Sequence, residues 1–455
     1  MIKGRPGLDS TMRVPSDHYA DVGKRDGMAS YWKSNRRAIA GWAIYDWANS
    51  AFATTVIAGF YPVFFNQYWS TGVETTTTTA RLGLINSIAG LVVAVLAPFI
   101  GAIADRSSSR KRFLIFFAYM GAALTSSLYL VNSGRWVAAS IIYILASIGF
   151  SGGMVFYDSM LKDVSHRKNA DMISSLGYSL GYLGGGVLFA INVWMTVSPA
   201  RFGLSDASEA VKFSFLTVGI WWAVFTIPLI LFVREKESGS GRCDLETIRS
   251  GIKEILSTFR EIRSLRPILL FLLAYWFYID GVDTIVRMAV DYGLSIGLER
   301  KDLILALLIT QFVGFPSALG FGILGRKVGA EKAIFIALIV YLGVTVWASM
   351  MTSRAEFYAL AVIIGLVQGG IQALSRSYYS RMIPEGKSAE YFGFYNMTGK
   401  FAAVLGPILM GGVGLAARRA GLGVGVATRI SILSLSLLFI TGGVLLFISR
   451  RKSDA

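Results

Sequence analysis

The chain has 455 residues, 54% of them hydrophobic, a single cysteine and a formal net charge of +16. One thiol excludes an internal disulfide and a thiolate metal cluster. Apolar residues gathered in blocks of roughly 20 or more exclude an ordinary soluble multidomain protein, because that is the length a helix needs to cross a ~30 Å hydrocarbon core.

In chain order, the first 37 residues are polar and basic, lack the short apolar core of a cleaved signal peptide, and read as a cytoplasmic arm, residues 1–37. Twelve apolar runs follow: α1 at 38–65, α2 at 82–104, α3 at 112–132, α4 at 136–160, α5 at 172–197, α6 at 213–233, α7 at 267–290, α8 at 302–324, α9 at 331–352, α10 at 355–380, α11 at 391–416 and α12 at 427–449. They do not alternate as membrane β-strands do, and most lack the polar stripe of a buried soluble helix. The division is a six-helix bundle over 38–233, a cytoplasmic linker over 234–266, a second six-helix bundle over 267–449 and a cytoplasmic tail over 450–455. In the linker, which holds Cys243, a Gly/Ser turn precedes Leu245, Ile248, Ile252, Ile255, Leu256 and Phe259 beside Arg249, Lys253 and Arg260, the pattern of a helix lying on a membrane surface or on the bundle.

Sorting Lys and Arg by loop places roughly three-quarters on the side of the linker, which predicts that both termini are cytoplasmic. The segment with Arg418, Arg419 and Arg429 departs most from that bias. The basic surplus is therefore topological, the expected partner is the lipid bilayer, and no nucleic-acid partner is expected.

The two halves repeat one plan, and repeats place transporter sites at their interface. Asp46, Asn49 and Ser50 in α1 and Asp280, Asp283 and Thr284 in α7 share the spacing D-x-x-[ND]-[ST], which puts three polar side chains on one helical face. "GGMVFYDSM" from Gly152 in α4 aligns with "GGIQALSRS" from Gly369 in α10, matching Asp158 to Ser375 and Ser159 to Arg376. "GAIADRSSSRKR" from Gly101 aligns with "GILGRKVGAEK" from Gly322. In the first of these, Asp105 at a helix end can hold Arg106, Arg110 or Lys111 and latch the halves; in the second, Gly325 replaces the aspartate, so any latch there is weaker or differently made.

A 6+6 bundle with a basic G-x-x-x-D-R loop resembles the major facilitator superfamily. More narrowly, "YDWANSAF", "APFIGAIADR", "YIDGVDTI", "QALSRS" and "EYFGFYNMTGKFAAVLGP", in that order between about Arg37 and Ile448, resemble the vacuolar amino-acid effluxers of yeast autophagy and their bacterial relatives. The short loops favour a bacterial cytoplasmic-membrane member. The resemblance implies an all-α membrane fold of twelve transmembrane helices in two pseudo-symmetric six-helix bundles. It also implies that α1, α4, α7 and α10 line a central cavity, that α11 packs beside α7 and that α5 packs beside α1.

Ionisable groups inside a bilayer cost about 2.5 to 3.5 kcal/mol each and tend to face a cavity or a partner. At 1.5 Å per residue, Asp46 lies ~12 Å and Asp280 ~20 Å from the linker side. Asp46, Asn49, Ser50, Asp280, Asp283 and Lys400 are the candidates for contact with solute or proton. With the packing that the resemblance implies, Lys400 meets Asp280 or Asp283, whereas α5 offers Asp46 only Tyr178 and Tyr182. Asp46 is thus expected to lack a cationic partner and to serve as a proton or ammonium site, or else to hydrogen-bond Asn49 at a packing contact. Asp283 and Arg287 also form an i,i+4 pair able to neutralise itself.

Asp158 and Arg376, at the linker-side ends of α4 and α10, are candidates for a gate, or alternatively anchors at headgroup level. Gly177, Gly181 and Gly185, spaced by four, read as close packing at a moving interface rather than a phosphate loop. Aromatics such as Tyr45, Trp47, Tyr275, Trp276, Tyr278, Tyr391 and Tyr395 either shape a pocket or simply pack.

The leading function is a secondary transporter of a small organic solute by alternating access. The resemblance implies amino acids and export, with protons as a candidate coupling ion and a monomer as the expected state. A lipid or amphiphile transporter and a non-transporting membrane sensor remain open. His18 and His166 lie outside the spans, and no zinc-protease, nucleophile-elbow or Walker motif occurs, so neither enzyme chemistry, a cofactor nor a bound metal is expected.

Overall fold

A computed structural model describes residues 18–235, 257–295 and 298–453. Among these there are no strands, and twelve helices are long and apolar enough to cross a membrane. They are α1 Asn35–Trp69, α2 Thr77–Arg106, α3 Arg110–Leu130, α4 Trp136–Val164, α5 Ala170–Val197, α6 Ala207–Phe232, α7 Arg266–Arg287, α8 Lys301–Val328, α9 Ala330–Met350, α10 Arg354–Ser380, α11 Ser388–Arg419 and α12 Val424–Arg450. Most of the N-terminal arm and the linker's proposed amphipathic helix, including Cys243, fall outside the described side chains.

The apolar runs extend beyond the sequence estimate where their ends are polar. The first turn of α11 carries Glu390 and its last turn carries Arg418 and Arg419. α1 is not one regular helix. Its Asp46 face lies on α-helix, but Phe52–Phe60 and Phe65–Trp69 are π-helical on either side of Tyr61–Phe64, which holds Pro62. Proline supplies no N–H to the ladder, so the backbone around it must find another register.

Two separate apolar cores hold the molecule. Among the described residues, the buried members of one run from Ile39 to Val233 with Ala389 added, and those of the other from Ile262 to Leu446 with Ala102 added. The bundles touch most extensively along two seams, α2 against α11 and α5 against α8, which are equivalent under the repeat, and also where α10 meets α5 and α11 meets α4.

The α2–α11 seam is backbone against backbone. A Cβ on Gly393 would lie 2.7 Å from the Ala97 carbonyl oxygen, and a Cβ on Gly101 would overlap the Ala389 carbonyl. Each bundle thus presents a glycine to the other's main chain, and this close approach exists only while the linker-side ends are together. Gly393→Val is expected to disfavour this arrangement. A cysteine replacing the fully buried Ser159 should then be alkylated at least tenfold faster, as read by mass spectrometry; an unchanged rate would show that the seam tolerates the side chain.

Candidate functional site

The charged residues inside the bundle form two groups. The first surrounds Arg376 of α10, which is 0% exposed. Its Nη1 donates to Asp158 Oδ1 at 3.0 Å and stands 3.8 Å from Asp46 Oδ2. Its Nε donates to the Ser174 hydroxyl and its Nη2 to the Ser174 carbonyl, each at 2.9 Å. The second Asp158 oxygen accepts from Asn396 Nδ2 at 3.1 Å, and Asp46 accepts from the Tyr157 hydroxyl at 3.1 Å and from Ser50 at 3.4 Å. Arg376 and Asn396 come from the C-terminal bundle and all the other groups from α1, α4 and α5. The cluster therefore stitches the two halves together, and every oxygen of its two carboxylates has a polar neighbour.

This geometry bears on two expectations. Asp46 does have a cationic neighbour, because the long Arg376 side chain reaches across from the other bundle, a contact that packing of α1 on α5 does not reveal. Asp158 and Arg376 do meet, both buried, which fits a pair between the helices and not anchors at headgroup level. Asn49 turns away from the cluster, with its Nδ2 3.0 Å from Met154 Sδ.

The second group lies in α7 and α11. Asp280 is 0% exposed and accepts from the backbone N–H groups of Leu405 at 2.9 Å and Gly406 at 3.0 Å, and from Thr284 at 3.1 Å. Those amides precede Pro407, which breaks the α11 ladder by lacking an N–H and by its ring's clash one turn back. A Cβ on Gly406 would stand 2.8 Å from Asp280 Oδ1, so the glycine is what admits the carboxylate. Asp280 is consequently occupied by the α11 backbone and forms no ion pair with Lys400 among the described residues. Asp283, partly exposed, lies within electrostatic reach of Lys400 and Arg287 but forms no direct ion pair among the described residues. Tyr178 and Tyr182, on the face of α5 turned to α8 and α10, are both partly exposed.

The glycine face of α5 packs mainly on α1 of its own bundle and reaches the boundary between bundles at Gly177. A Cβ on Gly181 would meet Ser50 Oγ at 2.7 Å and Asp46 at 3.1 Å, and one on Gly185 would meet Thr54 Oγ1 at 2.6 Å. Gly177 packs on Tyr157 and Trp42, with Arg376 Nη2 at 3.2 Å from its would-be Cβ. The stripe draws α5 onto the polar face of α1 within one bundle. Between bundles, Ser179 donates to the Phe315 carbonyl at 2.7 Å, and Gln311 of α8 bonds Thr54.

At the linker-side end the loop latch is present with altered partners. Asp105 accepts from the Glu390 N–H of α11 at 2.9 Å and stands 3.8 Å from Arg110, while Arg110 binds Glu235 at 3.0 Å and Asp163 at 3.1 Å. Lys111 donates to the Ile230 and Val233 carbonyls, each at 2.7 Å, and Arg106 is exposed. Where Gly325 removes the repeated aspartate, Asp171 at the start of α5 substitutes by binding Arg381 at 2.9 Å and Ser377. Lys162 adds a bond to the Ile383 carbonyl at 2.8 Å.

The family whose description is "Vacuole effluxer Atg22 like" matches residues 34–167 and 162–449. The chain belongs to that family. It is 35% identical to an uncharacterized MFS-type transporter, YxiO, of Bacillus subtilis (strain 168), over 89% of this chain and 93% of that protein. It is also 23% identical to autophagy-related protein 22 of Saccharomyces cerevisiae (strain ATCC 204508 / S288c), over 83% of this chain and 86% of the yeast protein. The human organic anion transporter MFSD10 has the same fold at a TM-score of 0.67 and 14% identity, covering 90% of this chain and 99% of that one. The proton:xylose symporter XylE follows at 0.65 and 12%, covering 92% and 96%. This Atg22-like chain is thus a multi-pass membrane transporter of the major facilitator type.

Tyr157, Ser174, Asn396, Trp42, Asp171 and Arg381 were not selected from the sequence. Tyr157 and Asn396 stand inside the phrases already quoted, one of them adjacent to Asp158, and that adjacency was the available signal. Nothing local announces that a serine and an asparagine will complete an arginine's shell. Because removal of one partner from a buried ion pair costs about 3–5 kcal/mol, Arg376→Gln should lower the thermal unfolding midpoint in detergent markedly. Asp280→Ala, which strands two backbone amides, should cost about 1–3 kcal/mol. Equal midpoints for wild type and Arg376→Gln would show that the cluster does not hold the halves together.

Proposed function

We propose that this protein is a secondary active transporter that moves a small polar organic solute by alternating access, with amino acids as the solute class and a proton as the coupled ion. The observation that carries the reading is the seating of Arg376, a C-terminal-bundle side chain, in a polar socket of the N-terminal bundle; the partly exposed Asp283, Lys400, Tyr178 and Tyr182 are taken to line the solute cleft between the bundles. A contact of this kind can be made and broken as a unit, which is what alternating exposure of a central site requires.

Asp283 together with Lys400 and Arg287 offers complementary charge to both ends of a zwitterion. Two carboxylates share one guanidinium in the cluster, and the formal surplus of one negative charge supports proton coupling through Asp46. The Asp158–Arg376 pair acts as the gate, with the Asp105 and Asp171 contacts as latches beside it. The Lys/Arg bias and the bacterial relative support placement in a cytoplasmic membrane, with the linker and both termini inside. The names of the fungal relatives support export. A monomer is sufficient, since the cleft is built entirely from one chain.

Purified protein in proteoliposomes, assayed for uptake and efflux across a panel of amino acids and other polar solutes with and without a pH gradient, tests this. Gradient-driven flux is expected for the wild type, a loss of at least tenfold for Lys400→Met and Asp283→Asn, and loss of the pH response for Asp46→Asn. Translocation of lipid with no polar-solute flux would favour the amphiphile reading instead.

A further inference from the structure

Three rings enclose the Arg376 guanidinium. Its central carbon lies 4.9 Å from the Trp42 ring, 5.1 Å from Tyr157 and 4.4 Å from Tyr178. Trp42 and Tyr157 are fully buried and stacked on each other with centroids 4.4 Å apart, as part of the N-terminal core. Tyr178 differs from them, because it is partly exposed. Among the described residues its hydroxyl has no hydrogen-bond partner. The phenol is within electrostatic reach of Arg376, Asp158 and Asp46 on one side and of Asp283 on the other. Of the three rings it is the one that is not fully buried.

Its neighbour one turn on, Tyr182, is held differently. A Cβ on either Gly314 or Gly369 would come within 2.7 Å of the Tyr182 ring, so two gaps in α8 and α10 clamp it. Tyr178 has the guanidinium on one face and is partly exposed beside the cleft proposed above. A flat ring over a planar cation excludes water from that face and adds cation–π attraction. Removing the ring opens a path from the cleft to a charge whose neighbours are arranged for a dry site.

We propose that Tyr178 is the partition between the inter-bundle cleft and the Arg376 ion cluster, and that a solute in the cleft acts on the gate through it. The coupling half of the proposal rests on the cleft being the solute site. A solute that hydrogen-bonds the unpartnered hydroxyl draws the ring off the guanidinium, admits water to the Arg376–Asp158 pair and loosens the contact between bundles. An empty cleft leaves the ring seated and the cluster dry. Tyr178 is thus a positioning residue, acting on the gate by covering it.

The test needs no solute. In a Cys243→Ser background, Ala373→Cys places a thiol one turn before Arg376 at a fully buried position whose carbonyl accepts from Ser174 at 2.7 Å. The rate of alkylation by N-ethylmaleimide, followed by mass spectrometry in proteoliposomes, reports whether water reaches that position. With Tyr178 present the thiol should react slowly. Tyr178→Phe, which keeps the ring, should leave the rate within twofold, and Tyr178→Ala should raise it at least tenfold. Tyr178→Leu, larger and safer for folding, should give an intermediate rate, with monodisperse elution confirming the fold. Equal rates in all backgrounds, a fast rate with Tyr178 in place, or equal acceleration in Phe and Ala variants would each overturn the partition. Failure of the protein to carry any polar solute would remove the transport reading while leaving this outcome intact, so the two failures are separable.

Discussion

A guanidinium that is 0% exposed has to be matched on the spot, and Arg376 is matched almost entirely by residues of the bundle it does not belong to. An isolated ion transferred from water to a protein interior loses several kcal/mol of solvation even after relaxation. Asp158, Ser174 and Asp46 recover part of that loss only when the two bundles are together at this end. Dry closure of this end is therefore tolerable only with these partners in register, and other contacts at this end are arranged around the requirement.

Two features support that one. Backbone contact at Gly101 and Gly393 lets α2 and α11 come close enough for Asp105 to reach the Glu390 amide. On the opposite seam, the small residues of α5 draw it onto α1, so that Asp46 and Ser50 stand beside Tyr157 while the other face of α5 presents Ser174, Tyr178 and Tyr182 to the second bundle. α5 thus carries structural glycines on one face and boundary residues on another. A Cβ at Gly181 would press on Asp46 itself, which ties packing within the first bundle to the charge cluster at its edge.

The pseudo-repeat also explains why two similar motifs do unlike work. Asp46 and Asp280 occupy equivalent places in α1 and α7, yet Asp46 serves the boundary whereas Asp280 serves a contact within its own bundle. The difference comes from the neighbour. α11 brings Gly406 against α7, and the carboxylate facing it is consumed by the backbone N–H groups of Leu405 and Gly406. Its i+3 companion Asp283 keeps the exposure that Asp280 gave up. A similar exchange occurs where Gly325 lacks a carboxylate and Asp171 supplies one from another helix.

What the sequence by itself determined is the membrane class, the twelve helices, the two-bundle plan and the roster of charges within the spans. Each of these depends on local composition: bilayer thickness sets run length, and the cost of a buried charge makes every intramembrane Asp, Arg or Lys conspicuous. The pairing of Asp158 with Arg376 was legible because the repeat aligns their helices. Only the tertiary structure decided that Arg376 also reaches Asp46, that Asp280 is spent on Pro407's neighbours and that the α5 glycines face inward. The physical reason is that an arginine side chain spans the gap between two bundles, and the partners of a buried carboxylate are set by whichever helix packs against it. Neither effect leaves a mark on the spacing of residues along one chain segment.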